Sequence, residues 1–204
     1  MNDLRPNTRV ERIFLFRHGE TEWSLAGRHT GLTDIPLTKN GRKEAKLLAK
    51  SLKKIQFDHV LCSPLIRAKE TCAIAGFESI AYYDNDLVEW NYGEYEGKTT
   101  QEIRAIDPGW TIFSKDPPGG ETAIEIGQRA DRVIRKLLSL DKRVAVFSSA
   151  HFSRVLGARW MGLPVKSGQQ LLSNTASKSI LGFEYGYQTI IRWNDVSHLS
   201  RQAL

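Results

Sequence analysis

The stretch Phe14-Leu15-Phe16-Arg17-His18-Gly19-Glu20-Thr21-Glu22-Trp23 closes an apolar run, from Ile13 to Phe16, that stops at an arginine, a histidine and a glycine. A buried strand whose carboxyl end opens into a polar crevice reads this way. Beside a permanently charged guanidinium, a histidine can act as nucleophile, general base or metal ligand, and Gly19 lets the backbone approach a ligand closely. An arginine and a histidine that merely finish a strand at the surface give the same short pattern. The rest of the chain has to separate the two readings.

The 204 residues, 41% hydrophobic and 25% charged, suit a soluble globular chain that buries one sizeable core, and the length favours a single domain over residues 1–204. No segment approaches 18 consecutive apolar residues, so no membrane span is expected. Met1 to Val10 is polar, with Arg5, Pro6 and Arg9, and lacks the apolar core of a secretory signal, which makes the cytoplasm the expected location. Cys62 and Cys72 read as buried free thiols. Neither belongs to a Cys-x-x-Cys or Cys/His array, so no zinc site is expected. The net charge of +6 could serve nucleic acid or anionic substrates. Much of it sits on Lys39, Arg42, Lys43, Lys46, Lys50, Lys53 and Lys54, interleaved with Ala45, Leu48, Leu52 and Ile55, as on the solvated face of one amphipathic helix. No nucleic-acid-binding pattern accompanies it, and no nucleic-acid partner is expected.

In chain order, a strand over Arg12 to Phe16 leads through a polar loop to a helix capped by Thr38 and running to about Ile55. His59 to Cys62 is a second strand; Ser63 as cap and Pro64 at the first helical position start a helix over Leu65 to Ala75, with Arg67 in its first turn. There a guanidinium joins the free N–H groups of a helix start, a place suited to an anion. Ser79 to Tyr83 is a third strand, and Leu87 to Gly97 a loop with three aromatics and three glutamates, of which Glu89 closes an apolar pair. A short helix spans Thr99 to Asp107, and Trp110 to Gly120 forms a loop or mobile cover over the site. The helix Glu121 to Leu140 carries Ile124, Ile126, Val133, Ile134, Leu137 and Leu138 on its apolar side. Val144 to Phe147 is a central strand that ends in Ser148-Ser149-Ala150-His151, before a helix over Phe152 to Met161; Ser179 to Tyr185 and Gln188 to Trp193 form a hairpin.

Three apolar strands thus end in groups that can bind or attack phosphate: Arg17-His18, Arg67 by way of its helix, and His151. In an open sheet with helices on both faces, ligands bind outside the carboxyl ends of the strands. Topology therefore brings a nucleophile and several cations to one crevice, and the reading of a surface-finishing Arg-His loses ground.

Arg17-His18-Gly19-Glu20-Thr21-Glu22-Trp23, with Thr30-Gly31, Asp34 to Thr38 and Gly41 behind it, resembles the first block of the histidine phosphatase superfamily in its phosphoglycerate mutase-like branch. Ser63 to Thr71, Glu89 to Gly97 and Gly120-Glu121-Thr122 are similar to the next three, in order, over about Ile13 to Met161. Thr21 to Ser24 and the wording around Glu89 look most like the sedoheptulose-bisphosphatase-like group. The resemblance implies an α/β fold: a three-layer αβα sandwich with a mostly parallel central sheet. It further implies that His18 attacks phosphorus and becomes a phosphohistidine, that Arg17 and Arg67 hold the phosphoryl oxygens, and that a histidine after the fourth strand adds a donor. Glu89 would protonate the leaving oxygen and then deprotonate the hydrolytic water. No metal and no cofactor are implied, and the partner is a small phosphate ester.

Two departures from the family pattern matter. Aligned on Arg154, the family's second His-Gly falls on Ser149-Ala150, and His151 lies two residues further on. Two residues along an extended segment restore the same face, so His151 serves if the strand end bends or bulges. Ser24 stands where many members have asparagine, and its hydroxyl can still donate to phosphate. Ser24, Thr30, Gly31, Tyr92 and Ser149 are the substrate-binding candidates, His29 a further pocket residue or a solvated one. The leading reading is a phosphatase of a small phosphorylated metabolite, such as a sugar phosphate. A cofactor-dependent phosphoglycerate mutase is the alternative, disfavoured because Gly97 to Gly120 is short for a cover that excludes water. A weakly catalytic phospho-ligand binder, motivated by Ser149, is another; a homo-oligomer is left open.

Overall fold

The computed structural model of the protein describes residues 10–140 and 142–199. The polar start on which the reading of location rests, Met1 to Arg9, lies outside them. Alternation sets the core. In β1 (Val10–Arg17), Ile13 and Leu15 enter one hydrophobic cluster and Phe14 and Phe16 another, as a two-residue period requires of a strand buried on both faces. After it come α1 (Glu22–Leu25), α2 (Lys39–Leu52), β2 (His59–Cys62), α3 (Ile66–Ile74), β3 (Ala81–Tyr83), α4 (Thr100–Ile106) and α5 (Ala123–Leu140). The chain continues through β4 (Val144–Ser148), α6 (Ala150–Trp160), β5 (Lys178–Glu184) and β6 (Tyr187–Asp195).

These strands form one six-stranded sheet in the order β3-β2-β4-β1-β5-β6. Neighbours from β3 to β1 are parallel, and β5 runs antiparallel to both β1 and β6. One face packs on α5 and α6, through Ile126, Val133, Leu137, Phe152, Val155 and Leu156; the other packs on α2 and α3, through Leu48, Leu52, Ala68 and Cys72. The fold is therefore the mostly parallel three-layer αβα sandwich that the resemblance implied. Cys62 and Cys72 are buried and free.

Local signals hold where the chemistry is local. The Thr38 hydroxyl accepts from Gly41 N–H at 2.9 Å and starts α2, and Thr99 and Glu102 cap α4 reciprocally. Tyr185 and Gly186 take φ of 51° and 83°, the mirror-image turn that a tight hairpin needs. Three expectations change. The start of α3 falls to Leu65 and not Ser63, because Ile66 N–H finds its acceptor 32 residues away, in the Asp34 carboxylate at 2.6 Å. Ile124 and Leu138 lie off the apolar side of α5, exposed by 73% and 37%. The segment from Trp110 to Gly120 is a loop, as one of its two readings had it, but its start is a packed wall: Trp110, Ile112 and Phe113 are all buried in the same cluster as α5 and α6.

Candidate active site

The chain leaves β1 toward α2 on one face and leaves the adjacent β4 toward α6 on the other, so a crevice opens between their carboxyl ends. A cavity of about 210 Å³ lies there, lined by Arg17, His18, Glu89, Tyr92 and His151 among others. Of the sequence candidates, Ser24, Thr30 and His29 also line it; Arg67, Gly31 and Ser149 do not.

His18 is held from three sides. Its N–H donates to Ser148 O at 3.0 Å, its carbonyl accepts from Ala176 N–H at 3.0 Å, and its ring Nδ1 lies 2.8 Å from Gly19 O. A carbonyl can only accept, so Nδ1 carries the hydrogen and Nε2 keeps its lone pair for the cavity. Burial, with Arg67 and Arg17 nearby, holds the His18 pKa well below its ordinary value, so the ring is neutral near pH 7. The loop that sets this geometry is jammed against α2: a Cβ on Gly19 would stand 2.5 Å from Gly41 O, and one on Gly41 would stand 2.1 Å from Glu20 O. Both glycines are there for close approach.

Glu89 is placed from β4's side of the crevice. Its Oε1 accepts from Trp90 N–H at 2.9 Å and Phe152 N–H at 2.7 Å; Oε2 accepts from His151 N–H at 2.9 Å. Two of those donors are first-turn amides of α6, which the carboxylate caps from outside the helix. With one donor against the two on Oε1, Oε2 keeps a lone-pair direction open.

The same contacts correct the reading of His151. Ser149 is the N-cap of α6 and His151 sits in its first turn, so no strand-end bulge carries the imidazole into the cleft; the helix start does. Its Nδ1 lies 2.6 Å from the Tyr92 hydroxyl. Burial pushes the Tyr92 phenol well up and the His151 pKa well down, so both are neutral. A phenol hydrogen given to Nδ1 leaves Nε2–H as a donor. The Ser149 hydroxyl, by contrast, is buried with no partner among the described residues.

Three other candidates take roles that differ from the expectation. Arg67 is fully buried and donates to the carbonyls of Thr30, Gly31 and Thr33 at 3.1, 2.7 and 3.0 Å. Most of its fork is committed to that loop, so it acts on His18 chiefly through its charge. Ser24 donates to Thr21 O at 3.0 Å and accepts from Thr21 N–H at 2.9 Å, which turns its hydroxyl hydrogen away from a phosphate. Gly31 is packed behind the cleft, its N–H on Glu96 at 2.8 Å. Arg17 donates to Ser173 O and carries a buried Nε with no partner among the described residues, and Glu89 and Tyr92 are close enough to oppose the lowering of its pKa by burial.

Arg129 had no signal in the sequence. It pairs bidentately with Glu121, at 2.8 and 2.7 Å, and also donates to the carbonyls of Asp86, Val88 and Glu89 at 2.9, 2.7 and 3.3 Å. Its guanidinium lies 4.5 Å from the centre of the Phe152 ring. One side chain thus holds the main chain that carries Glu89 and one of the residues that grips its carboxylate. Among the described residues no group of three or more His, Cys, Asp or Glu side chains could hold a metal ion, and no helix is long and apolar enough to cross a membrane.

This geometry has relatives. The family model described as the histidine phosphatase superfamily (branch 1) matches residues 13–196. The chain is 39% identical to the acid phosphatase of Mycobacterium tuberculosis, over 89% of this chain and 91% of that one. It is 34% identical to the sedoheptulose 1,7-bisphosphatase of Saccharomyces cerevisiae, over 76% and 69%. Among solved structures, the product of an open reading frame of Mycobacterium tuberculosis superposes with a TM-score of 0.87 at 38% identity, covering 91% of this chain and 98% of that one. The chain belongs to the histidine phosphatase superfamily. It is a phosphatase of that superfamily, with the phosphoglycerate mutase-like fold.

Proposed function

We propose that this phosphatase hydrolyses a small phosphorylated metabolite, a sugar phosphate or a related ester, through a phosphohistidine on His18. The observation that carries the reading is the Nδ1 contact of His18 to Gly19 O at 2.8 Å, which commits one nitrogen and frees the other in a cavity walled by a guanidinium. Nε2 attacks phosphorus in line with the leaving oxygen, and Arg17 offsets charge on the phosphoryl oxygens, with the buried Arg67 adding its field. Glu89 gives the leaving oxygen its proton and later takes one from the water that cleaves the phosphohistidine. His151 Nε2–H is a further donor to the phosphoryl group. Residues 1–204 are read as one domain, which the single sheet supports. The sugar-phosphate reading draws on the relatives named sedoheptulose 1,7-bisphosphatase, at 34% identity, and fructose-2,6-bisphosphatase of Xenopus tropicalis, at 36%.

Release of inorganic phosphate from phenyl phosphate by wild type and by His18→Ala tests this directly. Turnover in wild type and its loss in the variant are expected; equal turnover in both overturns the reading. Formation of 2-phosphoglycerate from 3-phosphoglycerate with a bisphosphoglycerate primer would instead assign a mutase, as in the relatives named probable phosphoglycerate mutase, at 28% identity in Serratia proteamaculans.

A further inference from the structure

The peptide unit between Gly19 and Glu20 is gripped on both edges. Its carbonyl is the acceptor that fixes the His18 ring through Nδ1 at 2.8 Å, and its N–H donates to Glu44 Oε2 at 2.8 Å. The unit is planar, so a partner that orients one edge orients the other. Among the described residues Glu44 is its one hydrogen-bond partner besides the His18 ring. The preceding peptide is held independently: His18 O accepts from Ala176 N–H at 3.0 Å, and Gly19 N–H donates to the Thr71 hydroxyl oxygen at 3.1 Å.

Glu44 lies one turn beyond Gly41 on α2, and the close approach of Gly41 to Glu20 brings it to the loop. Its second oxygen is committed as well. Oε1 accepts from the Thr175 hydroxyl at 3.0 Å. Thr175 belongs to the segment Ser173 to Ser177, which offers Ser173 O to the Arg17 guanidinium, Ala176 N–H to His18 O and Ser177 O to Arg17 N–H. Ala176 holds a φ of 50° there, a conformation that persists in a residue with a side chain only where the surroundings over-determine it. One carboxylate thus ties together two segments that set the Arg17-His18 pair. Burial lowers the Arg17 pKa, and Glu44, after Glu89 and Tyr92, opposes that lowering, so its charge reaches the site as well.

We infer that Glu44 is a positioning residue for His18: by accepting from Glu20 N–H it orients the Gly19 carbonyl and so keeps the ring hydrogen on Nδ1 and the lone pair on Nε2. A charged acceptor on the N–H also polarises the carbonyl on the far edge, which strengthens its hold on Nδ1–H. For its effect on turnover this role rests on the reading of His18 as the nucleophile. Its effect on the tautomer needs no turnover.

The test is nitrogen–proton correlation NMR of the histidine rings near neutral pH, with His18→Ala identifying the His18 signals, beside steady-state hydrolysis of phenyl phosphate. Wild type, Glu44→Ala and Glu44→Gln are compared. Wild type should show His18 as the Nδ1–H tautomer. Glu44→Ala should add the Nε2–H form and lower kcat by at least about tenfold, the size of one hydrogen bond to a charged group, with KM within about threefold. Glu44→Gln keeps an acceptor for Glu20 N–H and can turn its amide hydrogens to the Thr175 hydroxyl. It should keep the wild-type tautomer and recover most of kcat, while the Glu20 amide proton moves upfield as a charged acceptor becomes a neutral one. A general loosening of the fold lowers the urea midpoint without choosing between ring nitrogens. The wild-type tautomer in Glu44→Ala, or a Glu20 amide proton that stays put in Glu44→Gln, overturns the inference; the second decides alone if Glu44→Ala does not fold. A wild type inactive on phenyl phosphate overturns the phosphatase reading and leaves the tautomer result standing, so the two failures are distinguishable.

Discussion

At the scale of single residues, the site is a set of committed and uncommitted atoms. Glu89 has one oxygen saturated and one with room, and the acid-base work proposed for it depends on that second oxygen. Glu89→Gln keeps the volume and removes the exchangeable proton, so kcat on phenyl phosphate should fall by about 10² to 10⁴ with the fold intact; a fall smaller than tenfold removes Glu89 from the chemistry. Arg129 makes a different kind of prediction. Arg129→Met strands the Glu121 carboxylate in a nearly buried site and should cost about 3–5 kcal/mol in urea unfolding. Glu121→Gln retains most of the contacts, and it should lower kcat more than stability as the backbone at Glu89 loosens. Strand-end residues are legible in the sequence because an apolar run that stops at Arg-His is a pattern of neighbours. Arg129 is not, since an arginine on an amphipathic helix looks the same whether it meets solvent or five acceptors brought from elsewhere.

At the scale of elements, the junctions carry the information. The contact between the β1 loop and the first turn of α2 has no room for a methyl group on either side. Gly41→Ala should therefore destabilise the protein by about 1–3 kcal/mol, as overpacking does, and should also weaken phosphate binding, because the loop it pushes is the one whose carbonyl orients His18. Unfolding midpoints and phosphate affinity measured on one preparation check both halves. The start of α6 shows why some boundaries escape the sequence. Ser148-Ser149-Ala150-His151 holds no strong signal for where strand gives way to helix; the choice is made by Glu89, some 60 residues earlier, accepting two first-turn amides. The start of α3 is decided in the same way, by Asp34. Both are local events with distant partners, whereas the Thr38 and Thr99 caps have partners three residues on and are read from the chain itself.

At the scale of the whole molecule, the histidines make folding sensitive to acid. Burial holds the pKa of His18 and His151 well below the ordinary value of 6.5 and lowers that of His29 to about 4. The unfolded chain takes up protons near pH 6.5 that the folded one refuses. Stability is then unaffected by these groups above about pH 7 and falls as the pH drops from about 6.5 toward 4, with a slope of up to about 1.4 kcal/mol per pH unit for each such histidine. Urea unfolding at pH 7.5 and at pH 5 should show the loss, and His29→Gln should reduce it; a flat profile contradicts the assignment. The layers of the fold are legible because β1, β2 and β4 are each followed by a helical pattern, whereas the order of strands is set by pairings between segments far apart in the chain.

The central claim is that His18 itself carries the phosphoryl group. Wild-type protein mixed with a good phosphomonoester and quenched within milliseconds, without acid, should give a digest in which the peptide containing Arg17-His18-Gly19 is heavier by one phosphoryl group on the imidazole. That adduct should vanish on brief acid treatment and be absent from His18→Ala. Turnover with no modified imidazole at any quench time, or a phosphoryl group found on another residue, would contradict the account.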